Sequence, residues 1–169
     1  MNPDLHDIFA PESVVHGQVV PLRGRGRFVW MKFVKVYDAA LYLPGEVPGK
    51  DALSDVPKRL DLVFHLSIPG SKFGEAAFSL LEKNVSRDVL VRLKSRIEQL
   101  NRAYRDVKEG DRYVLTYAPG KGTTLSLSDE QLITIEGADF AAAYYSIWLG
   151  KHPISDTMRD ELAGMSARM

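Results

Sequence analysis

The 169-residue chain suits one domain, and at 45% hydrophobic it can bury a sizeable core. Its 22 Lys and Arg balance 22 Asp and Glu, so no global field draws it to nucleic acid or to an anionic membrane. The absence of cysteine excludes disulfides, thiol catalysis and cysteine metal sites, and leaves the redox compartment open.

Residues 1–13, "MNPDLHDIFAPES", are polar with two prolines and predict a flexible N-terminal arm, followed by a single domain over 14–169. Acids come early and no apolar h-region follows, so this is not a signal peptide. The chain as written is expected in the cytoplasm, or in the periplasm if a leader has been removed. "VVHGQVVPL" reads as a short strand, with Pro21 marking a break or an edge. Arg25 to Val34 and Val36 to Leu43 read as strands, continuous through a bulge near Lys35. "PGEVPGKDALSDVP" is a loop with a helical turn. "KRLDLVFHLSI" alternates cleanly, with Leu60, Leu62, Phe64 and Leu66 on one face of a half-buried strand.

Pro69-Gly70-Ser71 opens a helix, with Ser71 as the expected N-cap and Phe73, Ala77, Leu80 and Asn84 on one face. Ser86 caps a second helix with the stripe Val89, Leu90, Leu93, Ile97 and Leu100. Gly110-Asp111, the Pro119-to-Gly122 turn and Ser128-Asp129 divide the next stretch into a three-stranded antiparallel meander. "ADFAAAYYSIWLG" is a compact helix stopped by Gly150, too short to cross a bilayer, and a last helix starts at Ser155. The order predicts an α+β fold, a large antiparallel β-sheet with helices on one face.

Most chemical motifs fail on spacing. Gly24-x-Gly26 leads into a strand rather than a helix, and "PGKGTT" lacks the Walker pattern. His6, His16, His65 and His152 are scattered, so no metal site is expected. No nucleophile elbow is present. What stands out is the segment from Phe28 to Leu43, apolar on both faces. Such a strand is covered on both sides, or lines an apolar cavity with one of them. Arg27 begins the face of Val29, Met31 and Phe33. An arginine at the mouth of such a cavity forms a fork for a carboxylate or a ketone oxygen.

"GRGRFVWMKFVKVYDAALYLP", followed by "PKRLDLVF", "LEKNVSRDVL", "VKEGDRYVLTYAPGKGTTLSL" and "GADFAAAYYSIWLGKHPIS", resembles bacterial chalcone isomerase-like proteins over roughly residues 15–163. The resemblance implies an apolar cleft between a large sheet and a layer of helices. The family includes chalcone isomerases, fatty-acid-binding members and haem-binding members. In the plant enzymes an arginine stabilises a phenolate nucleophile, helped by a threonine, a tyrosine and an asparagine. The resemblance puts Phe73, which has no hydroxyl, at the tyrosine position, and Leu80 near the asparagine position, with Asn84 one turn later. Tyr37 falls at the threonine, and Ser146 or Ile147 at the hydroxyl of the last cleft helix. The arginine position falls near Val29. Arg27 lies two residues earlier and shares that face, with Arg25 as the fallback.

These observations favour a non-catalytic binder of an apolar carboxylate ligand. A fatty acid suits it, and haem, through its propionates, almost as well. The cleft would be lined by Val29, Met31, Phe33, Phe73, Ala77, Leu80, Tyr144 and Ile147, with Arg27 at the head group. No other cofactor is expected, and the partner is a small molecule rather than nucleic acid. Two alternatives stay open: an isomerase acting on a chalcone-like enone, against which Phe73 argues, and a structural or interaction domain whose cleft is simply core.

Overall fold

The computed structural model describes residues 8–165. Seven strands follow one another as antiparallel neighbours in a single sheet: β1 Glu12–Val15, β2 Gln18–Trp30, β3 Val34–Tyr42, β4 Lys58–Phe64, β5 Arg112–Ala118, β6 Gly122–Leu127 and β7 Glu130–Ile135. Among the described residues four α-helices pack with the sheet: α1 Gly70–Asn84, α2 Arg87–Ala103, α3 Ala138–Leu149 and α4 Asp156–Leu162. This is the expected α+β architecture.

Strand alternation sorts the side chains. Tyr37, Ala39 and Leu41 on β3, Leu60, Leu62 and Phe64 on β4, and Tyr113, Leu115 and Tyr117 on β5 join the core shared with the helices. α3 is apolar nearly all round, with Phe140 to Trp148 buried except Ala142, as a helix enclosed by other elements must be. Its Tyr145 hydroxyl donates to the Leu115 carbonyl at 2.9 Å. A smaller cluster on the opposite face gathers Phe9, Val15, Val20, Ala40, Tyr42 and Ala118.

Gly24 and Gly26 have a packing role. A Cβ on Gly24 would lie 2.0 Å from the Glu161 carbonyl oxygen, and one on Gly26 would lie 2.9 Å from Met158 Cγ. Their lack of side chains lets α4 settle directly on β2.

The sequence reading needs four local corrections. Residues 1–7 of the expected arm lie outside the described residues, but 8–13 are held. Phe9 is buried, the Tyr42 hydroxyl donates to the Ala10 carbonyl, and Leu22 N–H donates to the Pro11 carbonyl. "VVHGQVVPL" is two strands, turned at His16-Gly17, both in the left-handed region, with Pro21 inside β2. The long two-faced segment is a hairpin. It reverses at Met31 and Lys32, again both left-handed, and its bulge falls between Phe28 and Val29. Finally, α1 begins one residue before Ser71, and the N–H of Gly70 is satisfied by Asp106 Oδ1 at 2.7 Å.

Candidate functional site

An apolar pocket lies between the inner face of the sheet and α1. The sheet supplies Tyr37, Leu62, Tyr113, Leu115 and Leu125, and α1 supplies Phe73, Ala76, Ala77 and Leu80. Ile147 and Trp148 of α3, Ile154 beyond it and Tyr104 after α2 close the remaining sides. The pocket encloses about 60 Å³. That is room for about two water molecules at their liquid volume. Ala77 is buried and Ala76 exposed, so the helix face runs from pocket floor to rim.

Four aromatic rings form the wall under α1. Phe73 stacks on Tyr104 with centroids 5.1 Å apart, and both meet Tyr113 edge-on. Phe64 packs edge-on against Phe73. The polar atoms of this wall are already bonded. Trp148 Nε1–H donates to the Tyr37 hydroxyl at 3.1 Å. The Tyr104 and Tyr144 hydroxyls lie 2.8 Å apart, and Tyr144 donates on to Asn101 Oδ1 at 3.0 Å. Tyr113 donates to the Arg105 carbonyl and accepts from the Arg105 N–H. Burial pushes the Tyr37, Tyr104 and Tyr144 hydroxyls above the ordinary phenol range, because an anion there would lose its hydration. They are neutral phenols at any physiological pH, and no lining residue carries a formal charge.

Of the residues singled out in the sequence, the structure brings Tyr37, Phe73, Ala77, Leu80 and Ile147 to this pocket. Tyr144 stands behind it through its bond to Tyr104. Ser146 is buried and donates to the Ala143 carbonyl within its own helix. Asn84 clamps the turn after α3: its Nδ2 donates to the Leu80 and His152 carbonyls, and its Oδ1 accepts from the His152 N–H, all at 2.8 Å.

The arginines go elsewhere. Arg27 faces Asp38 across the hairpin, on the side of the sheet away from the pocket. Its Nε donates to Asp38 Oδ1 at 2.6 Å and its terminal nitrogen to Oδ2 at 3.2 Å. This bond to Asp38 holds the guanidinium above its usual range. Arg25, opposite Ala40, shares that outer face and lies near Tyr42. Val29, Met31 and Phe33 sit at the hairpin tip and are exposed. The cause is the turn at Met31-Lys32. It halts the strand before these side chains reach the helices, and the bulge after Phe28 breaks the expected face. On the inner face the corresponding side chain is Phe28, whose ring lies 5.3 Å from that of Tyr37.

Tyr104, Tyr113 and Trp148 were missed. Trp148 carries a signal, since it stands beside the expected cleft residue Ile147, and Tyr113 lies on the first strand of the expected meander. Tyr104, the C-cap of α2, continues the spacing of Leu93, Ile97 and Leu100 by one more turn, so the stripe itself points to it.

A family model described as chalcone isomerase-like matches residues 5–164. No curated protein matches the chain. Among solved structures, an Arabidopsis thaliana fatty-acid binding protein superposes with a TM-score of 0.64 at 15% identity, covering 90% of this chain and 96% of that one. At that identity the likeness speaks for the fold.

Proposed function

The chain belongs to the chalcone isomerase-like family, and from that premise we propose that it binds a small apolar molecule in the pocket under α1 without transforming it. The observation that carries this reading is the pocket's inventory. Its surface is hydrocarbon and aromatic ring, its hydroxyls are engaged with side-chain or backbone partners, and no charged group lines it. The Arabidopsis protein of the same fold is described as a fatty-acid binding protein, which supports an acyl chain as the occupant. Burial of such a chain contributes roughly 0.8 kcal/mol per CH₂.

Two features refine the ligand. With Arg27 turned away, an ionised carboxylate would lie in the pocket without a cation, and that costs several kcal/mol. The buried end is therefore uncharged, and an acidic head group stays at the rim. Haem, with two propionates, is served less well for the same reason. Volume is the second feature. Drug-sized ligands occupy pockets of about 300–1,000 Å³, well above the space present here. Entry requires α1 to lift, carrying Phe73, Ala77 and Leu80 away from the sheet. Catalysis is disfavoured because neutral, hydrogen-bonded tyrosines offer neither a base nor a cation for a developing phenolate.

Native mass spectrometry of the purified protein, followed by organic extraction, is expected to reveal a co-purifying apolar molecule. A fluorescent acyl probe should bind the native chain. It should fail to bind Ala77→Phe, which fills the pocket, and still bind Leu80→Ala, which enlarges it. Equal binding by all three would remove the pocket from the account. Turnover of a chalcone above the uncatalysed rate would overturn the non-catalytic half.

A further inference from the structure

The β2–β3 hairpin ends in large apolar side chains with solvent around them. Trp30 is 55% exposed, Met31 67% and Phe33 87%, with Val29 and Val34 also exposed at their base. Lys32 and Lys35 share the tip and are exposed. No acid lies between Phe28 and Tyr37, and the first one after them, Asp38, is fully buried and bound to Arg27. The backbone does not dictate these residues. Left-handed positions in a hairpin loop suit Gly and Asn, yet Met31 (φ 51°) and Lys32 (φ 69°) occupy two of the three loop positions between Trp30 and Val34.

We propose that this tip inserts into the interface of an anionic lipid bilayer. Trp favours the headgroup level, where its amphipathic ring meets both water and hydrocarbon, and Phe, Met and Val reach the acyl boundary below. Lysines beside them pair with lipid phosphates and serine carboxylates. The chain's net charge is zero, so this attraction is local to the tip. Met31 of the turn lies three residue steps beyond Phe28, a reach of about 10 Å at strand spacing. Interfacial segments sink about 5–10 Å, which matches. The shape also argues for lipid over a second copy of the chain. A stable protein interface takes about 20–30 residues a side, whereas this is a finger two strands wide with five apolar side chains. The inference stands whatever the pocket holds, but it places the pocket close to the bilayer, because Phe28 at the root of the finger packs on Tyr37.

Co-sedimentation with vesicles of phosphatidylcholine, with and without phosphatidylserine, tests it directly. The native chain is expected to pellet with the mixed vesicles and more weakly with the neutral ones. The Trp30→Ser, Phe33→Ser double variant should stay in solution. These side chains touch little in the fold, so its circular dichroism should be native. Lys32→Gln and Lys35→Gln should each cut binding to the mixed vesicles by about fivefold. Trp30 emission should shift blue on binding, and Trp30→Phe should lose the shift while still pelleting. The proposal is overturned if the native chain ignores both vesicle types at low ionic strength, or if the double serine variant binds as well as native. It is equally overturned if sedimentation velocity without lipid shows a dimer that Trp30→Ser dissolves, since a second copy would then own the tip.

Discussion

On β3 and β4 the side chains toward the helices are Tyr37, Ala39, Leu41, Leu60, Leu62 and Phe64. On the other side of the same two strands they are Asp38, Ala40, Tyr42, Arg59, Asp61 and Val63. The inner set carries no charge, and two of its members, Tyr37 and Leu62, line the pocket. The outer set holds two carboxylates that are essentially inaccessible, each met by cations. Asp61 receives Arg59 Nε at 2.7 Å and Arg112 at 2.6 Å. Asp38 receives Arg27, with His65 Nε2 at 3.0 Å but not aligned for a hydrogen bond. Phe9 covers this face, its ring 5.3 Å from the Arg112 guanidinium. A period of two residues is thus enough to keep strong fields off the pocket while the same strands carry them elsewhere.

The sharpest way to break the comparison is to orphan a charge on the outer face. Asp61→Ala leaves Arg59 and Arg112 facing each other without their shared anion. A loss of about 3 kcal/mol is expected, read as a fall in the urea midpoint with unchanged slope. Asp61→Asn should recover part of it, because one acceptor oxygen remains. Binding of an acyl probe at saturating folded protein should be unaffected, since the pocket lies across the sheet. A large binding defect in a folded Asp61→Asn would show that the two faces are not independent.

The matching change on the inner face removes a hydroxyl rather than a charge. Tyr37→Phe leaves Trp148 Nε1–H buried without its acceptor, at a cost of about 1–3 kcal/mol. Trp148 fluorescence should change with it. Because Tyr37 lines the pocket, probe affinity should change too, in contrast to Asp61→Asn.

The sequence made one of these faces readable and hid the other. Leu60, Leu62 and Phe64 alternate cleanly and do face inward, and Ser86 and Ser155 cap their helices as their positions suggest. Phe73, Ala77 and Leu80 at helical spacing mark the α1 side of the pocket. The role of Arg27 could not be read locally, because its partner Asp38 lies eleven residues on and becomes its neighbour only when the hairpin register is known. That register was obscured by the turn. Met31-Lys32 has no Gly, Asn or Pro to mark it, and the apolar residues around it imitate a buried strand. The same substitution of greasy residues for turn residues is what makes the tip a docking candidate.

The inner face does carry one cation, and it tests the rule most finely. Lys58 starts β4 beyond the pocket, fully buried, with its ammonium donating to the Ser54 carbonyl at 2.8 Å and lying over the Tyr117 and Tyr145 rings. Burial lowers its pKa to about 8, only partly offset by Asp55. The folded chain therefore releases this proton before the unfolded chain does. Between about pH 8 and the ordinary lysine range the unfolded state binds more protons, and stability rises with pH. Over about pH 7 to 9 the gain should be about 1 kcal/mol. Above about pH 10 the sign reverses, because buried Tyr37, Tyr104 and Tyr144 keep protons that unfolded tyrosines give up. Urea midpoints measured across this range should trace a shallow maximum. Lys58→Met should flatten its rising limb and leave the falling limb in place. A native chain whose stability only declines from neutral pH would mean that Lys58 keeps its charge comfortably. The inner face would then tolerate a cation, and the neutrality of the pocket would reflect where this lysine sits along β4 rather than which side of the sheet it occupies.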